Sequence, residues 1–361
     1  MYPALAVLER LQATHPDVEP LWVGSRDGME ADLVAKAGVP YESIPAAGLH
    51  GVGLRALPGN LWQLLRGLFA ARGVLQRFQP DALFFTGGYV AIPVALAGWR
   101  IPSLVYVPDI EPGLALQVLA RIADRIVVTT ENSRRYFRHR EDRVEVTGYP
   151  VRSDLMAWTE EEAFRTFDFS PDLPTLLVTG GSLGALSINQ TLVAILPDLL
   201  PEMQIIHLTG RYTWDRFKDA GDQLAPALAA RYRAYPYLHD DMGAALMIAD
   251  LILCRAGAST LGELPQFRLP AVLVPYPHAW RYQKVNADYL VERGAAEMLP
   301  DDELDRRLKT VLLELIRDRE RLNSMSEKME SLAQPDAAAC IGQLLLDVAS
   351  SDAGMRNENH D

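Results

Sequence analysis

Short apolar runs rich in β-branched and aromatic residues alternate along this chain with stretches whose apolar positions recur at helical spacing. The runs at Leu21–Val23, Ala82–Thr86, Ser103–Val107, Arg125–Thr129, Thr175–Thr179, Gln204–Thr209, Leu251–Cys254 and Ala271–Val274 predict strands. Most are apolar throughout rather than alternating, as strands buried on both faces of a parallel sheet are. Helices are predicted between them, as at Leu61–Phe78 and Leu186–Leu200. Such alternation predicts βαβ units and doubly wound sheets, an α/β fold class.

At 361 residues the chain exceeds one ordinary core and suits two domains. The break is placed at Gly148-Tyr149-Pro150-Val151-Arg152, a Gly–Pro turn followed by an acidic helix around Thr159–Phe164. The domains are then 1–153 and 154–334. A last amphipathic helix over 335–349 is expected to pack back on the first domain, and the small, polar tail 350–361 to be disordered. A doubly wound domain normally opens on a strand that feeds a phosphate-binding turn. This chain opens on an amphipathic helix, Met1–Leu11, so either the first domain is unusual or a strand and loop belong upstream.

Composition narrows the classes. Hydrophobic residues make up 49% and charged residues 23%, values of a globular protein. A net charge of −12 argues against broad nucleic-acid binding, which needs surplus Lys and Arg. Cys254 and Cys340 make neither a disulfide framework nor a metal-binding CxxC, which fits a reducing cytoplasm. Ala82–Trp99 is uncharged and long enough to span a bilayer, but Thr86-Gly87-Gly88 and Pro93 break it into strand, turn and helix. Ser43–Pro80 holds Arg55, Arg66, Arg72, Arg77 and His50 and no acid, with Leu61, Leu64, Leu65, Leu68, Phe69 and Leu75 at helical spacing. That surface suits contact with anionic lipid, or is a core helix with arginines on its wet face.

Three segments offer chemistry. Thr179-Gly180-Gly181-Ser182-Leu183-Gly184-Ala185 joins a strand to a helix, where glycines allow positive φ and free N–H groups face an anion; a turn needing glycine for packing is the alternative. Cys254-Arg255-Ala256-Gly257-Ala258-Ser259-Thr260-Leu261-Gly262-Glu263 repeats the arrangement. Its Glu263, about one turn into the helix, can accept both hydroxyls of a ribose, or is merely an acid favoured by the helix dipole. Pro275-Tyr276-Pro277-His278 leads to Arg281–Ala287, where Gln283 has donor and acceptor for sugar hydroxyls, or faces solvent.

In this order, with Asp240-Asp241-Met242 between the first two, the segments resemble the donor-binding half of the MurG family of lipid-linked N-acetylglucosaminyltransferases. Pro3–Val7, Gly24-Ser25-Arg26 with Met29–Val34, Gly48–Gly51, Gly87–Val90 and Tyr149–Arg152 resemble its other half, so the likeness covers about residues 1–348. The resemblance implies a GT-B architecture: two Rossmann-like doubly wound domains facing a cleft, here with the first strand of the N-terminal domain missing. It implies inverting transfer of GlcNAc from UDP-GlcNAc to the C4 hydroxyl of MurNAc in undecaprenyl-diphosphate-linked MurNAc-pentapeptide. That is lipid II formation in peptidoglycan synthesis, by a peripheral enzyme on the cytoplasmic side of the cell membrane. Arg152 and Ser182, with Gly181 and Gly184, are the implied pyrophosphate contacts. Ala258, Ser259, Thr260, Leu261 and Gly262 are implied to cradle diphosphate and ribose, and Glu263 to take the ribose hydroxyls. The backbone near Leu238 and His239 is implied to meet uracil, and Gln283 the GlcNAc hydroxyls. Neither cofactor nor metal is expected, since no Asp-x-Asp clamp is apparent and Arg152, helix N-termini and loop amides can meet the leaving charge.

The chain departs from the family pattern in three places. The family's GGTGGH loop, with its usual candidate base, would precede Met1-Tyr2-Pro3; an internal start is expected, with genuine loss as the alternative. Where the family has HEQN this chain has Tyr106-Val107-Pro108-Asp109, followed by Ile110-Glu111. Asp109 is therefore a substitute base or hydroxyl acceptor, or a solvated loop acid. Tyr282 stands where the family often has Gln or His. Other readings are a GT-B transferase with a different lipid or glycan acceptor, a UDP-GlcNAc 2-epimerase, and a non-catalytic UDP-sugar-binding protein. The Gly48–Gly51, Gly87–Val90 and Tyr149–Arg152 segments argue against the epimerase.

Overall fold

A computed structural model of the chain describes residues 1–25, 31–46, 57–277 and 280–358. Gly48–Gly51, the Arg26 and Met29 positions and His278 lie outside the described residues. The chain divides into two units, Met1–Val151 with Pro335–Asp361, and Arg152–Gln334.

The first unit runs α1 (Tyr2–Thr14), β1 (Trp22–Ser25), α2 (Ala31–Lys36), β2 (Tyr41–Ile44), α3 (Leu57–Phe78), β3 (Leu83–Phe85), α4 (Ala91–Ala97), β4 (Ser103–Val107), α5 (Leu114–Ile122), β5 (Arg125–Val128) and β6 (Val144–Val146). The second begins with α6 (Glu160–Phe167), which Thr159 and Glu162 open as a reciprocal capping box. It continues β7 (Thr175–Thr179), α7 (Leu186–Leu199), β8 (Gln204–Leu208), α8 (Trp214–Phe217), α9 (Pro226–Ala229), β9 (Tyr232–Tyr235), α10 (Met242–Ile248) and β10 (Leu251–Cys254). Then come α11 (Glu263–Gln266), β11 (Ala271–Leu273), α12 (Trp280–Glu292), β12 (Ala296–Met298), α13 (Leu304–Arg317) and α14 (Arg319–Glu330). The closing α15 (Ala337–Glu358) returns to the first unit, against α1 and β4. In place of the disordered tail expected over 350–361, this helix continues to Glu358; apart from Gly354, nothing between Ala349 and Glu358 breaks a helix.

The second unit has one parallel sheet in the order β12-β11-β10-β7-β8-β9. Numbered from its own first strand this is 3-2-1-4-5-6, the dinucleotide-binding order, and the direction of winding reverses between β7 and β10. Leu176, Val178, Leu251 and Leu253 of these two strands are wholly buried with Ile188 and Leu192 of α7 and Leu308 and Leu312 of α13. Burial on both faces is what their unbroken apolar runs demanded.

In the first unit the parallel sheet order is β3-β4-β5-β6, and among the described residues β1 pairs only with β2, also in parallel. Counted in the same way these are positions 4-5-6-7 and 2-3, and among the described residues no strand stands at position 1. An open cavity of about 870 Å³ takes that place, lined by Val23 of β1, Phe85 of β3, Val7 and Leu11 of α1, Val74 of α3 and Leu345 of α15. The stretch read as too interrupted to span a bilayer is β3, the Gly87-Gly88 turn and α4. Among the described residues no helix is long and apolar enough to cross a membrane.

Candidate functional site

The exits of β7 and β10 are neighbours in the sheet, Thr179 standing opposite Cys254. Both predicted loops therefore open at the reversal point, where open α/β sheets bind ligands. In the first, Gly181 (φ +83°) and Gly184 (φ +89°) take conformations that side chains resist. Gly184 is also pressed on the loop after β8: a Cβ there would sit 2.2 Å from the Thr209 carbonyl oxygen. The Arg211 N–H donates to the Ser182 carbonyl (3.3 Å), tying the two loops together.

A buried polar network supports this contact from below. Asn189 Nδ2 donates to the Thr209 carbonyl (2.7 Å) and to Thr213 Oγ1 (3.1 Å). Its Oδ1 then faces His207 Nε2 at 3.1 Å, and His207 Nδ1 lies 2.7 Å from the Tyr232 hydroxyl. An amide that spends its nitrogen on Thr209 presents only an acceptor to the ring, so Nε2 carries the proton and Nδ1 accepts from Tyr232. Burial pushes the imidazole down to about 3, which keeps it neutral.

The second loop departs from its expected shape. Ala258–Leu261 form a 3₁₀ turn, the chain breaks at Gly262 (φ −126°, ψ −49°), and Glu263 is the first residue of α11 rather than one turn into a helix. A continuous α-helix would need an N–H from Pro265 to the Leu261 carbonyl, and proline has none. Thr260 Oγ1 donates to the Gly257 carbonyl (2.6 Å) and the Leu261 side chain is buried, so these two hold the loop and offer a ligand only backbone. Burial pushes the Glu263 carboxyl up to about 7, against the opposing effects of the Ser259 hydroxyl and the Arg152 charge. Arg152, half-buried, also lies 3.4 Å from the Asp154 carboxylate. Arg152, Ser259 and Glu263 thus form one electrostatic group.

Leu238 is buried, leaving its backbone as its contribution, whereas His239 is exposed. Sequence reasoning missed the company His239 keeps. Arg211 Nη2 is 3.1 Å from His239 Nε2, and the Arg211 guanidinium lies 5.4 Å over the Tyr237 ring. Gln283 Oε1 accepts from the Tyr276 N–H (2.8 Å), so its amide is already oriented by the loop after β11. Tyr282 is half-buried beside it.

In the first unit Asp109 is half-buried just past β4, and Glu111, two residues on, is buried at 5% exposure rather than solvated. The buried Tyr106 hydroxyl bonds Thr129 Oγ1 (2.8 Å) and the Gly148 carbonyl (3.3 Å). Its phenol is raised far above the usual range, first by burial and then by the Asp109 charge. Gly87 and Gly88, at φ +110° and +87°, form the turn after β3, the neighbour of β4. Among the described residues no group of three or more His, Cys, Asp or Glu could hold a metal ion.

Comparison with known proteins gives the family. Residues 175–341 match the glycosyltransferase family 28 C-terminal domain and residues 1–128 its N-terminal domain. The UDP-N-acetylglucosamine–N-acetylmuramyl-(pentapeptide) pyrophosphoryl-undecaprenol N-acetylglucosamine transferase of Roseiflexus sp. (strain RS-1) is 40% identical, over 96% of this chain and 91% of its own. Its namesake from Desulforamulus reducens is 36% identical, over 96% and 95%. Among solved structures, Acinetobacter baumannii MurG superposes with a TM-score of 0.73 at 26% identity, covering 96% of this chain and 95% of that one. A UDP-GlcNAc 2-epimerase from Neisseria meningitidis shares the fold, with a TM-score of 0.68 at 14% identity over 96% and 98%. The chain belongs to glycosyltransferase family 28, among its UDP-N-acetylglucosamine–N-acetylmuramyl-(pentapeptide) pyrophosphoryl-undecaprenol N-acetylglucosamine transferases.

Proposed function

We propose that the chain transfers GlcNAc from UDP-GlcNAc to the C4 hydroxyl of MurNAc in a polyprenyl-diphosphate-linked MurNAc-peptide, with inversion at the anomeric carbon. The observation that carries the donor half is the meeting of two glycine loops at the β7/β10 reversal, with Glu263, Ser259 and Arg152 grouped there. The Gly181 N–H donates to Thr179 Oγ1 (3.2 Å) and the Gly184 N–H to the Gly181 carbonyl (3.0 Å), which shapes the loop. The Ser182 N–H and hydroxyl, with Arg152, therefore offer positive potential to a diphosphate whose charge grows as the glycosidic bond breaks. The backbone of Ala258–Gly262 takes the diphosphate and ribose, and the Glu263 carboxylate accepts from the ribose hydroxyls. The Leu238–His239 backbone takes the uracil. Gln283 takes the sugar. Asp109, at the exit of β4, is the group assigned to accept the proton of the attacking hydroxyl.

The lipid acceptor gives a reason for the surface of the first unit. Trp62, Leu65 and Phe69 of α3, Leu96 and Trp99 at the end of α4, and Leu114, Val118 and Ile122 of α5 are exposed on three successively packed helices. Arg66, Arg72, Arg100 and Arg121 stand exposed among them, and the Arg100 guanidinium lies 4.8 Å over the Trp99 ring. An apolar face with cationic neighbours suits peripheral binding to anionic lipid on the cytoplasmic leaflet.

The test is UDP release from UDP-GlcNAc with a MurNAc-pentapeptide lipid acceptor, for this chain and for one extended upstream by an apolar strand and glycine loop. Acceptor-dependent turnover in either supports the reading. UDP-GlcNAc binding without turnover in both would replace it with a sugar-nucleotide-binding role or a different acceptor.

A further inference from the structure

Arg255, the residue that follows β10, carries an inference about how the donor half is held together. Its side chain is only 10% exposed, and the guanidinium works in three directions. Nη1 donates to the carbonyls of Val274 (3.1 Å) and Pro275 (3.4 Å), where β11 gives way to the loop leading to Gln283. The same nitrogen lies 2.5 Å from Asp301 Oδ1. Nη2 donates to Ser187 Oγ (3.0 Å), in the first turn of the helix that follows the Gly180–Gly184 loop, and the Ser187 hydroxyl donates to Asp301 Oδ1 (2.8 Å). The guanidinium carbon lies 5.3 Å over the centre of the Tyr276 ring, and the Tyr276 N–H holds the Gln283 amide.

One side chain therefore joins the exits of β7, β10 and β11. A buried ion pair adds little net stability, because desolvation offsets the attraction. Its use here is geometric: a planar fork meets two carbonyls, a hydroxyl and a carboxylate at fixed angles, which a lysine ammonium does not do. We infer that Arg255 is a positioning residue for the donor, clamping the diphosphate-facing loop to the loop that carries Gln283. By that clamp it sets how much affinity the sugar adds to the nucleotide. The inference rests on the reading of the second unit as a UDP-GlcNAc site.

The experiment is calorimetric titration of the full chain with UDP and with UDP-GlcNAc, alongside thermal melts, for wild type, Arg255→Lys, Tyr276→Leu and the double variant Arg255→Met/Asp301→Asn. Arg255→Lys keeps a cation for Asp301 and is expected to stay folded while losing about tenfold or more in UDP-GlcNAc affinity, as the loss of two or three hydrogen bonds implies. The double variant removes both charges together, so neither is left buried alone; its melt is expected to stay near wild type and its UDP-GlcNAc affinity to stay low. Tyr276→Leu keeps the N–H and loses the ring, so UDP-GlcNAc weakens several-fold while UDP binds as before. Wild-type affinity for UDP-GlcNAc in Arg255→Lys or in the double variant overturns the inference and leaves the donor site standing. Failure of the wild-type chain to bind either ligand overturns the donor reading and the inference together.

Discussion

The two positive-φ glycines of the first donor loop differ in one respect that can be measured. At Gly181 (φ +83°) an added Cβ meets nothing within 4 Å, whereas at Gly184 (φ +89°) it lies 2.2 Å from the Thr209 carbonyl oxygen and 2.8 Å from Thr213 Oγ1. Gly181→Ala therefore carries only the cost of a left-handed L-residue, about 1–2 kcal/mol. Gly184→Ala adds overpacking against backbone that Asn189 holds from the other side, about 1–3 kcal/mol more. In a unit of this size each kcal/mol lowers the melting temperature by about 2–4 °C. The second unit should melt about 2–8 °C lower for Gly181→Ala and about 4–20 °C lower for Gly184→Ala, with Gly184→Ala the larger shift. Differential scanning calorimetry with and without UDP-GlcNAc checks this, because nucleotide stabilises the unit that binds it and so marks its transition. Equal shifts for the two variants, or the larger one at Gly181, would refute the loop-on-loop account of Gly184.

Four further outcomes follow from the geometry. The folded chain holds Glu263 protonated up to about pH 7, against an ordinary 4.5, so the stability this contributes is full below 4.5 and lost as pH rises through 7. Hydroxyl donors favour the ionised form, so UDP-GlcNAc affinity should rise from pH 6 to 8 in wild type and stay flat in Glu263→Gln; calorimetry across that range decides it. His207 is lowered from 6.5 to about 3, so the unfolded chain takes the proton first and stability falls as pH drops below 6.5. His207→Gln should flatten the acid limb of the second unit's melting profile, whose slope from this one proton is at most about 1.4 kcal/mol per pH unit. Phe69→Glu should cut sedimentation with anionic vesicles while leaving UDP-GlcNAc binding unchanged; undiminished sedimentation would move the membrane face elsewhere. Asp109→Asn should lower kcat by about 10²-fold or more with little change in donor KM, and an unaltered kcat would remove Asp109 from proton transfer.

What the sequence concealed follows a physical pattern. All eight predicted strands exist, but β2, β6, β9 and β12 were missed, and each lies at a sheet edge. Edge strands touch water along one side and carry polar residues, such as Glu145 in Val-Glu-Val and Arg233 in Tyr-Arg-Ala-Tyr, so the unbroken apolar run disappears. The two glycine loops were legible because glycines at strand exits have a conformational reason to be there. Their supports were not. Asn189, His207 and Tyr232 meet across three elements, and Arg255 finds Asp301 and Ser187 from 46 and 68 residues away. Nothing in local spacing announces such a meeting. Glu263 shows the converse: an acid closing the second glycine loop was legible, while its place in the helix turned on Pro265.

The gap between β1 and β3 also determines where the folded chain should come apart first. Every strand from β3 to β6 is stitched to a neighbour, whereas among the described residues β1 and β2 pair as strands only with each other. They join the rest through side chains, by packing of α1 against α15 and β2 against α3 and by the exposed Arg77–Glu42 ion pair, which adds little in water. Sub-global opening follows the weakest cooperative boundary. The segment from α1 through β2 should detach as a unit while the remaining sheet stays closed, so its amides should exchange with solvent deuterium well before those of β4 and β5. A strand bridging β1 to β3 would merge the two exchange classes into one.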